Sequence, residues 1–179
     1  MNMNKITYLE LIKYLHESLL SNRTVDEIRL DLKDSLIEIP EENIEDPLTS
    51  LLIKHRFIGQ KHYDFSFRES SSYWGQVVLD YIDGDLLNIK AQLFADGFIP
   101  TLHGLIEKER KAGAYLTKML GKKKVINFQD LDLPFLKGVK GVSWTDNEHN
   151  LFATLNNNKS QSNIRRYISV GIEKMMEKD

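Results

Sequence analysis

Three aspartates and a lysine crowd one short stretch of the chain: Asp80, Asp83 and Asp85, with Lys90 a little further on. Carboxylates gathered around a hairpin are hard oxygen ligands suited to Mg²⁺ or Mn²⁺. A lysine beside them is placed to stabilise the charge that builds up when a phosphodiester is attacked. In that reading Asp80, Asp83 and Asp85 hold the metal and Lys90 is the catalytic cation. The run Asp83-Gly84-Asp85 is also ordinary turn chemistry, because Asp and Gly accept the left-handed backbone of a tight hairpin.

Metal-dependent nucleases of the PD-(D/E)xK type carry a Glu on the hairpin and a Lys next but one after it. Here that position is Asn88, which leaves the ligand set short of a carboxylate and favours the turn. His62 and Asp64 are a second pair, on one face of a strand, where a histidine can act as a base and a carboxylate can orient it. With no third partner apparent in the sequence, a solvated strand face is the favoured account. His103 and Glu107 stand one helical turn apart as a local polar pair, and His149 falls at a loop tip.

Lys122, Lys123 and Lys124 follow a long helix, where cations favour the orphan carbonyls and the negative end of the dipole. With Lys108, Arg110, Lys111, Lys118, Lys159, Arg165 and Arg166 they also make a candidate phosphate-contacting surface, interrupted by Glu107 and Glu109. Tyr73 and Trp74 follow Ser70-Ser71-Ser72 and are candidate anchors for a protein partner. The acidic segment Glu38 to Asp46, which includes Glu41, Glu42 and Glu45, is the place where a basic partner surface would dock.

The elements that must carry these residues are legible in part. Thr7 with Glu10 is a capping box, and Leu9, Ile12, Leu15 and Leu19 behind it predict a helix over 7–20. Val25, Ile28 and Leu32 after Thr24 suit a second helix, which ends near the alternating stretch before Pro40. Asp46-Pro47 reads as the start of a short helix. Tyr63, Phe65 and Phe67 alternate with polar residues as in a half-buried strand. Asp83-Gly84 predicts a hairpin whose first arm is Val77 to Tyr81, and the residues after the turn, 85–96, fit either strand or helix. A long amphipathic helix runs from Pro100 to Gly121, and Val125 to Phe128 is a short strand. A second hairpin pairs Val139 to Trp144 with Leu151 to Leu155. Asn156 to Ser162 reads as a polar, mobile stretch, and Ile164, Ile168, Ile172 and Met175 suggest a closing helix.

No internal repeat, domain-sized linker or βαβ alternation is apparent. The expected fold class is therefore α+β: one compact domain over residues 1–179, with amphipathic helices packed on a small, mostly antiparallel sheet built from hairpins. The 179 residues are 41% hydrophobic and 28% charged, as in ordinary globular chains. No apolar run is long enough to span a bilayer, and no signal segment opens the chain, which leads to a cytoplasmic expectation with no membrane. Without cysteine there is no disulfide, no Cys-ligated metal and no thiol nucleophile. Residues 1–100 hold 10 Lys+Arg against 17 Asp+Glu, a net of −7, and residues 101–179 hold 14 against 9, a net of +5.

No phosphate loop, dinucleotide fingerprint, nucleophile elbow or zinc-protease motif is present. The expectation is a non-enzymatic cytoplasmic binding or regulatory protein without a cofactor, acting through a protein partner. An inhibitor or immunity-type factor of a mobile element such as a phage is one form of it, suggested by a composition rich in Asn, Lys and Ile. The alternatives are a metal-dependent nuclease or phosphodiesterase with Mg²⁺ or Mn²⁺, and a nucleic-acid binder using Lys122, Lys123, Lys124, Arg165 and Arg166.

Overall fold

Thr7 and Thr24 each start a helix in the same way. Each hydroxyl accepts from the backbone amide of a glutamate, Glu10 or Glu27, whose carboxylate accepts from the threonine amide in return. The exchange satisfies two of the donors that a helix start leaves open. The helices are α1, Tyr8–Leu20, and α2, Val25–Asp31. The third, α3, covers Ile99–Leu120 and stops where Gly121 takes φ 90° and its amide donates to the Thr117 carbonyl at 3.0 Å. These belong to a computed structural model that describes residues 5–40, 59–95, 99–127, 139–146, 148–158 and 166–175. The expected helix after Asp46-Pro47 lies outside them.

Eight strands form one sheet: β1 Ile37–Ile39, β2 Gln60–Arg68, β3 Tyr73–Ile82, β4 Asp85–Ala95, β5 Lys124–Asn127, β6 Val139–Asp146, β7 Leu151–Asn158 and β8 Arg166–Lys174. The order is β1-β2-β3-β4-β8-β7-β6-β5, and every neighbouring pair is antiparallel. Each half of the chain is thus a helical segment followed by a four-strand meander, and the two meanders meet at β4 and β8. Counted from either edge of the sheet, the strands of each half therefore follow in chain order up to the seam. The acidic and basic halves lie side by side in the sheet.

The α+β class and the helix-on-sheet packing are as expected; of the strand and helix open for the residues after the Asp83-Gly84 turn the structure has the strand, and two other expectations are revised. Residues 85–95 are strand, paired with β3 across a turn in which Asp83 and Gly84 take φ 51° and 88°, the type I′ geometry that matches strand twist. The expected closing helix is strand β8 instead. Ile168, Val170 and Ile172 alternate onto one face and are buried. A spacing of four residues satisfies a strand as well as a helix, and Val170 between the two isoleucines selects the strand. Asn156 to Asn158, read as part of a mobile stretch, belong to β7.

The core lies between the helices and one face of the sheet. Leu11, Ile12, Leu15 and Leu19 of α1, with Leu105, Ala112 and Leu116 of α3, cover Phe65, Val77, Leu79, Leu93, Val170 and Trp144. Glu69, in the β2–β3 turn, ties the layers together. Its carboxylate accepts from the Tyr8 amide at 2.6 Å and pairs with Lys108 of α3. The opposite face of the sheet carries polar and aromatic side chains, and among the described residues no helix packs on it.

Candidate functional site

Register decides what meets on the helix-free face. His62 in β2 stands opposite Asp80 in β3, and Asp80 stands opposite Asn88 in β4. His62 Nδ1 lies 2.6 Å from Asp80 Oδ1, and His62 Nε2 lies 2.9 Å from Asp64 Oδ2. Asn88 Nδ2 donates to Asp80 Oδ2 at 2.8 Å. Four side chains therefore form one hydrogen-bonded relay across three strands. The hydrogen bonds to Asp64 and Asp80 raise the His62 pKa to about 9 against the opposing effect of burial. The imidazole is protonated at neutral pH, and both nitrogens donate. A ring held this way has no lone pair with which to take a proton from a substrate. Asp80, a candidate metal ligand in the sequence, is the missing third partner of His62 and Asp64.

The relay ends at a hollow. Asn88, Phe152, Thr154, Gly171 and Glu173 line a half-open depression of about 140 Å³ between β4, β8 and β7. Gly171 is its floor, where a Cβ would come within 3.2 Å of Thr154 Oγ1. Further along the same face Trp74 stacks on Phe94 with centroids 4.4 Å apart, and Phe94 meets Tyr167 at 5.4 Å. This aromatic row, all half-buried, crosses β3, β4 and β8.

The other expected residues are dispersed. Asp83 sits at the turn, where its amide donates to the Gly59 carbonyl at 3.1 Å. Asp85 Oδ1 accepts from Asn22 at 2.7 Å, and Asn22 Oδ1 also accepts the Leu86 amide at 2.8 Å. The acid thus serves to fasten the α1–α2 loop to β4. Lys90 lies five residues beyond Asp85 in the sequence, roughly 16 Å along an extended strand. Asp80, Asp83 and Asp85 do not converge as ligands: among the described residues only Asp146, Glu148 and His149 bring three ligand atoms within 4.8 Å of one another.

That trio is a turn held by its own hydrogen bonds. Asp146 accepts from the Glu148 amide at 2.8 Å and pairs with His149 Nδ1 at 2.7 Å. Burial pushes the Asp146 carboxyl up, and the bonds from His149 and the Glu148 amide outweigh it and bring it below its ordinary value. His16 of α1 is buried, with Nδ1 at 2.8 Å from the Tyr115 hydroxyl oxygen and Nε2 without a hydrogen-bond partner among the described residues. Burial lowers its pKa and keeps it neutral.

Of the two expected anchors, Tyr73 points to the helices, where its hydroxyl donates to the Thr101 carbonyl at 2.7 Å, whereas Trp74 lies on the helix-free face. Glu38 is bound at 2.7 and 2.8 Å by Arg29, and Glu41, Glu42 and Glu45 lie outside the described residues, as does Arg165. Lys122 and Lys123 are exposed after α3, and Lys124 begins β5. Arg166 opens β8, three strands away from β5 and five residues off the row that Lys124 shares with Gly171, so the two positions are far apart in the sheet. Lys108 and Arg110 are paired with Glu69 and Glu107. His103 is exposed on α3, and its expected partner Glu107 holds Arg110 instead.

Among the described residues no helix is long and apolar enough to cross a membrane. No family model, curated protein or solved structure matches the chain.

Proposed function

We propose that this chain is a binding protein that acts on a protein partner through the helix-free face of its sheet, a cytoplasmic regulator, inhibitor or immunity-type factor in kind. The observation that carries the reading is the Trp74–Phe94–Tyr167 row. Three half-buried aromatic rings in contact, on the face away from the core, offer a large rigid surface whose burial by a partner is favourable and costs little side-chain entropy. The flanking relay supports the same reading, because Asp64, His62, Asp80 and Asn88 are engaged with one another and so fix a pattern of charge rather than supply a free base.

The test is affinity capture from the organism that encodes the chain, followed by reconstitution with the purified partner. Trp74→Ala and Phe94→Ala are expected to reduce binding at least tenfold while Arg110→Ala, on the helix side, leaves it intact. A partner bound equally well by all three variants, or no partner at all, overturns the proposal.

A further inference from the structure

The depression at Gly171 is lined by Phe152 and Gly171 together with three residues that carry oxygen acceptors, Asn88, Thr154 and Glu173. Glu173 stands on its rim, and among the described residues its carboxylate has no ion pair or hydrogen bond. Asn88 commits its amide nitrogen to Asp80. A carboxylate can only accept, so the relay fixes the carboxamide and leaves Asn88 Oδ1 as the polar atom it has to offer. Thr154, which carries a hydroxyl, and Phe152, which carries an aromatic ring, complete the lining with Gly171. A carboxylate, a carbonyl-type oxygen, a hydroxyl and an aromatic ring together suit a cation that carries several N–H donors.

Size narrows the occupant. At about 140 Å³ the hollow is below the roughly 300 Å³ at which small-molecule sites begin, and it holds the head group of one side chain. Its position agrees: Gly171 and Tyr167 lie on the same face of β8, four residues or roughly 13 Å apart, so one protein surface can cover the hollow and the aromatic row together. Lys90 stands opposite Gly171 in the register but is not among the walls.

We propose that the hollow formed by Asn88, Phe152, Thr154, Gly171 and Glu173 is a docking pocket for a basic side chain, lysine or arginine, of the protein partner. The proposal rests on the reading that this face binds a protein. It explains why glycine occupies the middle of a central strand, where it otherwise forfeits packing: any larger side chain would fill the pocket.

The pocket can be probed without the partner. The tripeptides Ac-Gly-Arg-Gly-NH₂ and Ac-Gly-Lys-Gly-NH₂ are titrated into isotope-labelled protein, with the citrulline peptide as the neutral isostere of arginine. Saturable shifts of the Phe152, Thr154, Gly171 and Glu173 amides are expected with one or both basic peptides and not with citrulline. Glu173→Gln and Gly171→Ala should each weaken binding at least tenfold while leaving the spectrum elsewhere unchanged. Absent shifts, an equal response to citrulline, or an unchanged response in Glu173→Gln overturns the pocket.

The two readings fail separately. If the peptides give no shifts but Trp74→Ala abolishes partner binding, the pocket falls and the binding face stands. If the peptides bind but neither Trp74→Ala nor Glu173→Gln changes partner binding, the assignment to a protein partner falls together with the face.

Discussion

Nδ1 of His62 lies 2.6 Å from Oδ1 of Asp80, the residue directly opposite it in the neighbouring strand. With Asp64 on the other nitrogen, the ring is an imidazolium clamped between two carboxylates. Its chemistry is that of a fixed charge, and its titration is readable as stability.

The histidine's folded-state pKa, about 9, stands above the unfolded value of about 6.5. Its contribution is therefore complete below pH 6.5 and is lost as pH rises towards 9. Allowing for solvent screening at a half-buried position, about 1–2 kcal/mol should disappear over that interval. Urea denaturation between pH 6 and 10 checks this, and His62→Asn should flatten the profile in that window. An NMR titration placing His62 near 6.5 would sink the argument.

Glu69 is buried and holds both the Tyr8 amide and Lys108. Glu69→Ala leaves a half-buried cation and a helix-start amide without their partner, at a cost of about 1–3 kcal/mol. Adding Lys108→Met to Glu69→Ala should recover part of the loss, because it removes the orphaned charge. Chemical denaturation of the single and double variants reads both effects, and additive losses would contradict the coupling.

Two glycines should differ sharply. A Cβ at Gly75 would overlap the Gln92 carbonyl oxygen of the adjacent strand and the Phe67 ring, neither of which can retreat without opening the sheet. Gly75→Ala should cost upward of about 3 kcal/mol. Gly84 has φ 88° and nothing within 4 Å of such a Cβ, so Gly84→Ala should cost only the strained backbone, about 1 kcal/mol. Melting temperatures of the two variants in the reverse order would refute the packing account.

Asn22 takes φ 53°, where glycine would be easier, yet its side chain joins Asp85 and the Leu86 amide. The two lost hydrogen bonds should outweigh the relief, so Asn22→Gly is expected to destabilise by about 1–2 kcal/mol. A neutral or stabilising outcome in thermal unfolding would show that the bridge to Asp85 contributes little.

Local chemistry made much of this fold legible. Thr7 with Glu10, the alternation of Tyr63, Phe65 and Phe67, the pair Asp83-Gly84 and the stop at Gly121 each specify structure within a few residues, and each element formed where its signal lies. The β8 strand reads as a helix in the sequence because its isoleucines recur at an interval common to both periodicities. The site was legible only in pieces. His62 and Asp64 were visible as a pair, but Asp80 joins them through strand register, and the hollow depends on Asn88, Phe152 and Gly171 from three strands far apart in sequence. No local pattern records which strands become neighbours.

The seam between β4 and β8 carries a consequence for biosynthesis. In a growing chain β1–β4 can assemble early and β5–β7 later, but the strand that joins them follows all seven in the chain. Until residues 166–174 have emerged, β4 and β7 each present an unpaired edge, and each is a template for another copy of the chain. A nascent polypeptide stalled just short of Arg166 should therefore bind chaperones or aggregate, whereas one extended past Lys174 should close its own sheet.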